Sequence, residues 1–179
     1  MSEKWLQSQY IHQGEFFSLR SGQVALEDGK TAQREIIEHN GGAAVVPVLS
    51  DYSVVLVRQF RISIGQEILE IPGGRLLPGE SPETRAKYEL EEEVGYRAGR
   101  LIPLVTFYPS PGYTNEKVHI YLGLDLQKTQ QNLDPGEKIE IVILSLAEIK
   151  NMLVRGEFID GNMIIAMHKF LDYFKLHTD

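Results

Sequence analysis

Residues 80–93 read ESPETRAKYELEEE and hold six glutamates. Three of them, Glu89, Glu92 and Glu93, are spaced i, i+3 and i+4, which places them on one face of a helix within a single turn. Like charges held that close repel, and a divalent cation is the usual relief. Most charge runs are simply the solvated face of a helix, but two features set this one apart. Basic partners one turn on are missing within the helix: Glu89, Glu91, Glu92 and Glu93 are followed there by Glu93, Gly95, Tyr96 and Arg97, of which only Arg97 is basic, and it lies past the helix end. In addition, Pro72-Gly73-Gly74 precedes the run, and glycines let main-chain carbonyls approach an ion or a phosphate closely. Carboxylate and carbonyl oxygens suit hard cations such as Mg²⁺ or Mn²⁺.

The spacing resembles the signature of the Nudix hydrolases. That signature runs Gly, five residues, Glu, seven residues, Arg-Glu, an apolar residue, any residue, Glu-Glu, any residue, Gly, apolar. Gly74, Glu80, Glu89, Leu90, Glu92, Glu93, Gly95 and Tyr96 fall in register with it. One position departs. Tyr88 stands where the family has an arginine that orients the glutamates, and tyrosine carries no charge at pH 7. Arg85, four residues before Glu89, is expected to replace part of that charge. The departure leaves a non-catalytic Nudix-fold binding or regulatory module as an alternative to an enzyme.

The resemblance extends beyond the signature. Val57-Arg58-Gln59-Phe60-Arg61 and Leu69-Glu70-Ile71-Pro72-Gly73-Gly74 look like the branch that contains ADP-ribose pyrophosphatases and other nucleoside diphosphate sugar hydrolases. Pro111, within Ser110-Pro111-Gly112-Tyr113, falls where that branch carries a proline beyond the last signature glycine. The resemblance implies hydrolysis of a nucleoside diphosphate sugar, ADP-ribose first, to a nucleoside monophosphate and a sugar phosphate. GDP-mannose and a nucleoside triphosphate are the alternative substrates. It implies metal ligation by Glu89, Glu93 and Glu92 with the Gly73 carbonyl, so that Glu92 and Glu93 belong to the catalytic set, with Glu80 supporting the site from the loop. It implies a general base on a loop before a late strand, where Glu137 fits best. Arg61 is the choice for holding phosphate, because a guanidinium fork matches phosphate oxygens. Arg58 is the second choice, with a structural ion pair to a carboxylate as its alternative role. Trp5, Tyr10, Phe16 and Phe17 could stack on the nucleobase or lie in the core, and the sequence does not choose among them. The N-terminal strands match those that meet across a homodimer in this branch.

These side chains need elements to position them. Ser81 is a good N-cap, Pro82 suits the first helical position, Glu83 complements the positive helix end, and Gly95 closes the helix. Ala43–Leu49 and Ser53–Phe60 read as paired, buried strands, followed later by strands at Leu101–Phe107, Val118–Leu124 and Ile139–Leu144. A polar loop, Gln127–Lys138, carries Glu137, and helices are expected near Leu146–Arg155 and Asp160–Leu176. This order suggests an α/β/α sandwich with a mixed sheet rather than a doubly wound parallel sheet. Residues 1–40 read as an antiparallel β extension and 41–179 as the main domain. Gly29-Lys30-Thr31 looks like the end of a phosphate loop, but Val24 occupies the place of its first glycine. Asp28-Gly29 is instead a hairpin turn.

Composition bounds the rest. The 179 residues carry 18 Lys+Arg against 25 Asp+Glu, a net charge of −7. That acidity argues against a basic nucleic-acid-binding surface. No cysteine is present, so disulfides, thiolate metal sites and thiol catalysis are excluded. The five histidines lack ligand spacing. No apolar stretch approaches the ~20 residues of a membrane span, and MSEKWLQSQY has no apolar signal core. A cytoplasmic protein without membrane or nucleic-acid partners is expected.

Overall fold

Turn chemistry shapes the N-terminal strands. The computed structural model describes residues 2–178, and the chain divides into two compact units. The first takes in the segment up to Gly41 together with Tyr108–Lys117, a stretch that a division at residue 40 leaves in the second unit. Its strands β1 (Lys4–Gln13), β2 (Ser18–Ala25) and β3 (Thr31–Glu38) form an antiparallel sheet in sequential order. Gly29 sits in the left-handed region at φ 81°, and the Leu26 N–H donates to the Lys30 carbonyl at 2.8 Å, closing the β2–β3 hairpin. Gly29-Lys30-Thr31 is therefore a turn and not a phosphate loop. Tyr108–Lys117 is stitched to β3: the Ile37 N–H donates to the Tyr113 carbonyl at 2.8 Å, and the His39 N–H to Asn115 Oδ1 at 2.7 Å.

The second unit spans Gly42–Phe107 and residues from Val118 onward. Its strands are β4 (Gly42–Pro47), β5 (Val54–Arg61), β6 (Gln66–Glu70), β7 (Gly73–Arg75), β8 (Tyr96–Phe107), β9 (Val118–Lys128) and β10 (Ile139–Leu144). Its helices are α1 (Pro82–Val94), α2 (Leu146–Arg155) and α3 (Gly161–Thr178). One sheet runs β7-β4-β9-β8, with β4 and β9 parallel and the other pairs antiparallel; a second runs β10-β5-β6, all antiparallel.

Residue parity along the buried strands builds the sandwich, because successive side chains leave a strand on opposite faces. Ala43, Val45, Val55 and Val57 pack against Ala86, Leu90 and Val94 of α1. Ala44, Val46, Val54 and Leu56 pack against Ile149 of α2 and against Met163, Met167 and Phe170 of α3. Helices thus cover both faces, which is why these strands read as unbroken apolar runs.

β4 and β5 are buried as expected, but they are not paired. β4 gives its edges to β7 and β9, and β5 gives its edges to β6 and β10. The two meet at a Val48–Val54 bridge and the turn bond from the Leu49 N–H to the Ser53 carbonyl at 2.9 Å. Strands covered on both faces look alike in sequence, so apolar content cannot name the edge partner.

Candidate active site

The carboxylates are placed by α1 and by the glycines that precede it. Ser81 Oγ accepts from the Thr84 N–H at 3.1 Å and fixes the start of the helix. Gly95, at φ 67°, ends it, and its N–H donates to the Glu91 carbonyl at 3.0 Å. On β7, Gly73 and Gly74 register opposite Ala44 and Ala43 of β4. A Cβ on Gly73 would stand 2.6 Å from the Ala44 Cβ, and a Cβ on Gly74 would overlap the Glu89 carboxylate. These glycines are needed for close approach: they let α1 bring its acids onto the backbone of β7.

Glu93 is 5% exposed, and its Oε2 accepts from the Gly73 N–H at 2.8 Å. Burial, then the charges of Glu89 and Glu137, push its pKa up to about 8, against the Gly73 hydrogen bond and the charge of Arg61. Burial likewise pushes Glu89 up to about 7, with Arg85 working against the shift and Glu92 and Glu137 adding to it. Carboxylates raised by burial and mutual repulsion are groups that a cation would hold ionised. Arg85 lies between two of the acids, with Nε 2.9 Å from Glu80 Oε2 and Nη1 3.3 Å from Glu89 Oε1. Glu80 also accepts from the Leu77 N–H at 3.0 Å, which fixes the loop before α1. Tyr88 points to solvent. Arg85 thus sets a positive charge beside Glu89, four residues along the same helix.

Glu92 is half-buried beside this pair. Among the described residues no three acidic or histidine side chains form a closed ligand cluster. The donors that fit a hard divalent cation are the Glu89 and Glu93 carboxylates, with Glu92 and the main chain of Gly73 next to them. All are oxygen donors, and among the described residues no cation bonds Glu93 directly to compete for its charge.

Glu137 sits on the loop between β9 and β10, exposed, with Oε2 3.3 Å from the Asp134 N–H. Its charge raises both Glu89 and Glu93, so the loop brings it toward the helix acids. The loop is moored on the C-terminal end of α1. The Thr129 N–H donates to the Gly95 carbonyl at 2.8 Å, the Asn132 N–H to the Glu92 carbonyl at 3.0 Å, and Gln131 Nε2 to the Glu93 carbonyl at 2.7 Å. These bonds satisfy carbonyls that a helix end leaves open.

Arg61 donates from Nε to both oxygens of Glu70, at 2.8 and 3.1 Å, and its charge is felt by Glu93. Arg58 stands apart from this group. Its Nε lies 3.3 Å from Glu140 Oε2, its register partner on β10, which makes it a cross-strand ion pair. Pro111 belongs to the first unit, where Tyr113 and Thr114 donate N–H bonds to the Ser110 carbonyl at 3.2 and 3.1 Å. Tyr10, Phe16 and Phe17 are exposed in that unit and so are not core, while the Trp5 ring lies 4.7 Å from the Arg20 guanidinium carbon. Two residues escaped the sequence reading. Glu70 is a lone acid flanked by Leu69 and Ile71, and that setting is the signal that could have found it. Gln131 acts through a contact 38 residues away, which no local pattern encodes.

A family model described as NUDIX domain matches residues 38–165. An ADP-ribose pyrophosphatase of Bacillus subtilis (strain 168) is 35% identical over 169 residues, covering 93% of this chain and 91% of that protein. A methanol dehydrogenase activator of Bacillus methanolicus is 34% identical over 167 residues, covering 92% of this chain and 90% of that protein. Among solved structures, one described as an ADP compounds hydrolase superposes with a TM-score of 0.87 at 23% identity, covering 99% of this chain and 97% of that one, a likeness of fold.

Proposed function

The chain belongs to the Nudix family, and on that footing we propose that it hydrolyses the pyrophosphate linkage of ADP-ribose to AMP and ribose 5-phosphate, with Mg²⁺ as its working cation and Mn²⁺ able to substitute. It is a Nudix pyrophosphohydrolase of nucleoside diphosphate sugars, and like other members of the family it depends on a divalent cation. The observation that carries this reading is the pair of mutually repelling carboxylates, half-buried Glu89 and buried Glu93, seated on the Gly73-Gly74 backbone.

Glu89, Glu93 and Glu92, with the Gly73 carbonyl, would hold the cation, which supplies charge neutralisation for the anionic linkage and acidifies the attacking water. Arg61 holds a substrate phosphate with the N–H groups that Glu70 leaves open. Glu137 accepts the proton of the water from its loop, a position that suits a base closing over bound substrate. Arg85 keeps Glu89 in place. Its presence argues against the reading of an inactive binding module, since the charge missing at Tyr88 is restored from the same helix. The exposed Leu6, Ile11 and Phe16 of the first unit suit a homodimer contact, and sedimentation of a monomer alone would overturn that part. The lack of cysteine is in keeping with a cytoplasmic setting.

Phosphate release from ADP-ribose, GDP-mannose and a nucleoside triphosphate, coupled to a phosphatase and run with and without Mg²⁺, tests the assignment. ADP-ribose turnover that requires Mg²⁺ is expected. Preference for the triphosphate would reject the sugar assignment, and no turnover of any compound would favour the binding module.

A further inference from the structure

Arg61 and Glu70 lie on neighbouring strands and on one face of the β5–β6 ladder. Glu70 registers opposite Val57, and Arg61 follows Val57 by two full pleats. The arginine reaches back along the ladder, so that its Nε donates to both Glu70 oxygens at 2.8 and 3.1 Å. The two ends of this pair differ in setting. The Glu70 side chain is 14% exposed and the Arg61 side chain 43%. Among the described residues, neither Nη of Arg61 carries a hydrogen bond. One edge of the guanidinium is therefore clamped in the protein, while the other keeps its donors for an anion.

Glu70 is also three residues upstream of Gly73, whose N–H seats Glu93 at 2.8 Å. The intervening segment is stiff. Pro72 fixes one backbone angle, and its carbonyl accepts from the Val45 N–H of the central strand at 2.9 Å. A single short segment thus positions a guanidinium at one end and a helix carboxylate at the other. On the far side of Glu70, Asp160 caps α3 by accepting from the Met163 N–H at 2.8 Å, and its negative charge reaches Glu70. Arg61 is the one cation that bonds Glu70 among the described residues.

We infer that Glu70 is a positioning residue: it clamps the Arg61 guanidinium so that its outer edge faces the substrate pyrophosphate in fixed register with the Glu89–Glu93 carboxylates. This inference rests on Arg61 as the phosphate-holding group. An unclamped arginine keeps its charge but must be ordered anew by each substrate molecule. That ordering is worth roughly two- to tenfold in binding for a long side chain.

The test is a double-mutant cycle with two readouts. Glu70→Gln keeps the shape of the side chain and removes its charge. On ADP-ribose, Glu70→Gln is expected to raise KM by about three- to tenfold and leave kcat within about twofold. Glu70→Asp should recover part of the loss. Arg61→Ala should raise KM further, and adding Glu70→Gln to it should change nothing more. A Glu70 that only supports the fold would lower Tm in both backgrounds and leave KM alone. The second readout is the Tm shift given by inorganic pyrophosphate with Mg²⁺, which needs no turnover. Wild type should shift, Glu70→Gln should shift less, and Arg61→Ala and the double variant should shift least and alike. A full pyrophosphate shift in Glu70→Gln, additive losses in the cycle, or no shift in wild type would each overturn the inference. Absence of ADP-ribose turnover alongside the expected pyrophosphate shifts would overturn the substrate assignment and leave the clamp standing.

Discussion

Nη1 of Arg85 stands 3.3 Å from Oε1 of Glu89, one turn along the same helix, while its Nε lies 2.9 Å from Glu80. The Arg85 side chain is 14% exposed, whereas Tyr88 is 53% exposed. A cation three residues before position 88 thus already spans the loop acid and the helix acid. Replacing Arg85 by Ala takes the cation away from two largely buried carboxylates and leaves Glu80 only the Leu77 N–H, which is costly. Arg85→Ala is expected to lower cation-dependent turnover by about 10–100-fold, the equivalent of roughly 1.4–2.8 kcal/mol in the barrier, while Tyr88→Phe stays near wild type. Turnover measured across a Mg²⁺ titration checks this. Unchanged Mg²⁺ activation in Arg85→Ala would remove Arg85 from the site.

Gly74 offers a sharper steric test. Its Cα faces the Glu89 carboxylate so closely that any Cβ would displace it. Gly74→Ala should move an oxygen of Glu89, a proposed metal ligand, by about an ångström, a displacement that can cost on the order of 100-fold in rate. The helix content by circular dichroism should be retained, since α1 keeps its Ser81 cap and its apolar face. Gly161→Ala serves as the control, because nothing lies within 4 Å of an added Cβ there. Equal activity in the two variants would show that Glu89 need not touch the β7 backbone.

The sequence revealed much of α1 because local chemistry fixes it: Ser81, Pro82 and Gly95 act on their immediate neighbours, and the acid spacing is a property of one helix. β10 and α2 lie where the sequence places them, and the structure adds the reciprocal cap in which Ser145 and Glu148 bond each other's main chain. The edge partners of β4 and β5 were not legible, because both strands are covered on both faces and carry the same apolar pattern. The Arg61–Glu70 clamp was hidden in a strand pairing. The mooring of the Glu137 loop on α1 was hidden further, since Gln131 and Glu93 meet only after the chain has passed through β8 and β9. Arg58 and Arg61 look equivalent in sequence. Register sets Arg58 opposite Glu140, whereas Arg61, opposite Gln66, reaches back along the ladder to Glu70.

Glu137 shows how a loop acid can serve a helix site. The bonds from Thr129, Gln131 and Asn132 fix the loop's root on α1, and Gly136 at φ 93° turns the chain just before the glutamate. Glu137→Gln removes the proposed proton acceptor and keeps the volume. Turnover of ADP-ribose should fall by about 10²–10⁴-fold, with the pyrophosphate Tm shift intact. A fall of less than about threefold would move the base to another residue. Gln131→Ala should have a smaller effect on kcat, because it loosens the root of the loop and leaves the acid present.

Stability should respond to pH and cation together. Glu89 and Glu93 hold their protons to about pH 7 and 8 in the cation-free fold, against 4.5 for an unperturbed glutamate. Below 4.5 both folded and unfolded chains are protonated at these sites, and neither group discriminates between them. Between about pH 5 and 8 the unfolded chain releases these protons while the folded chain retains them, so the folded state binds more protons and loses stability as pH rises. The unfavourable contribution grows through this window and levels off above pH 8. A divalent cation reverses the sign of the local interaction, because it favours the ionised carboxylates. The Tm of the EDTA-treated protein should therefore fall from pH 5.5 to 8, and the Mg²⁺-induced rise in Tm should be larger at pH 8 than at pH 5.5. Glu93→Gln keeps the Gly73 hydrogen bond through its amide oxygen and removes one titrating charge, so it should flatten the cation-free profile and shrink the Mg²⁺ effect. An equal Mg²⁺ effect at both pH values, with Glu93→Gln indistinguishable from wild type, would place the cation somewhere other than on these carboxylates.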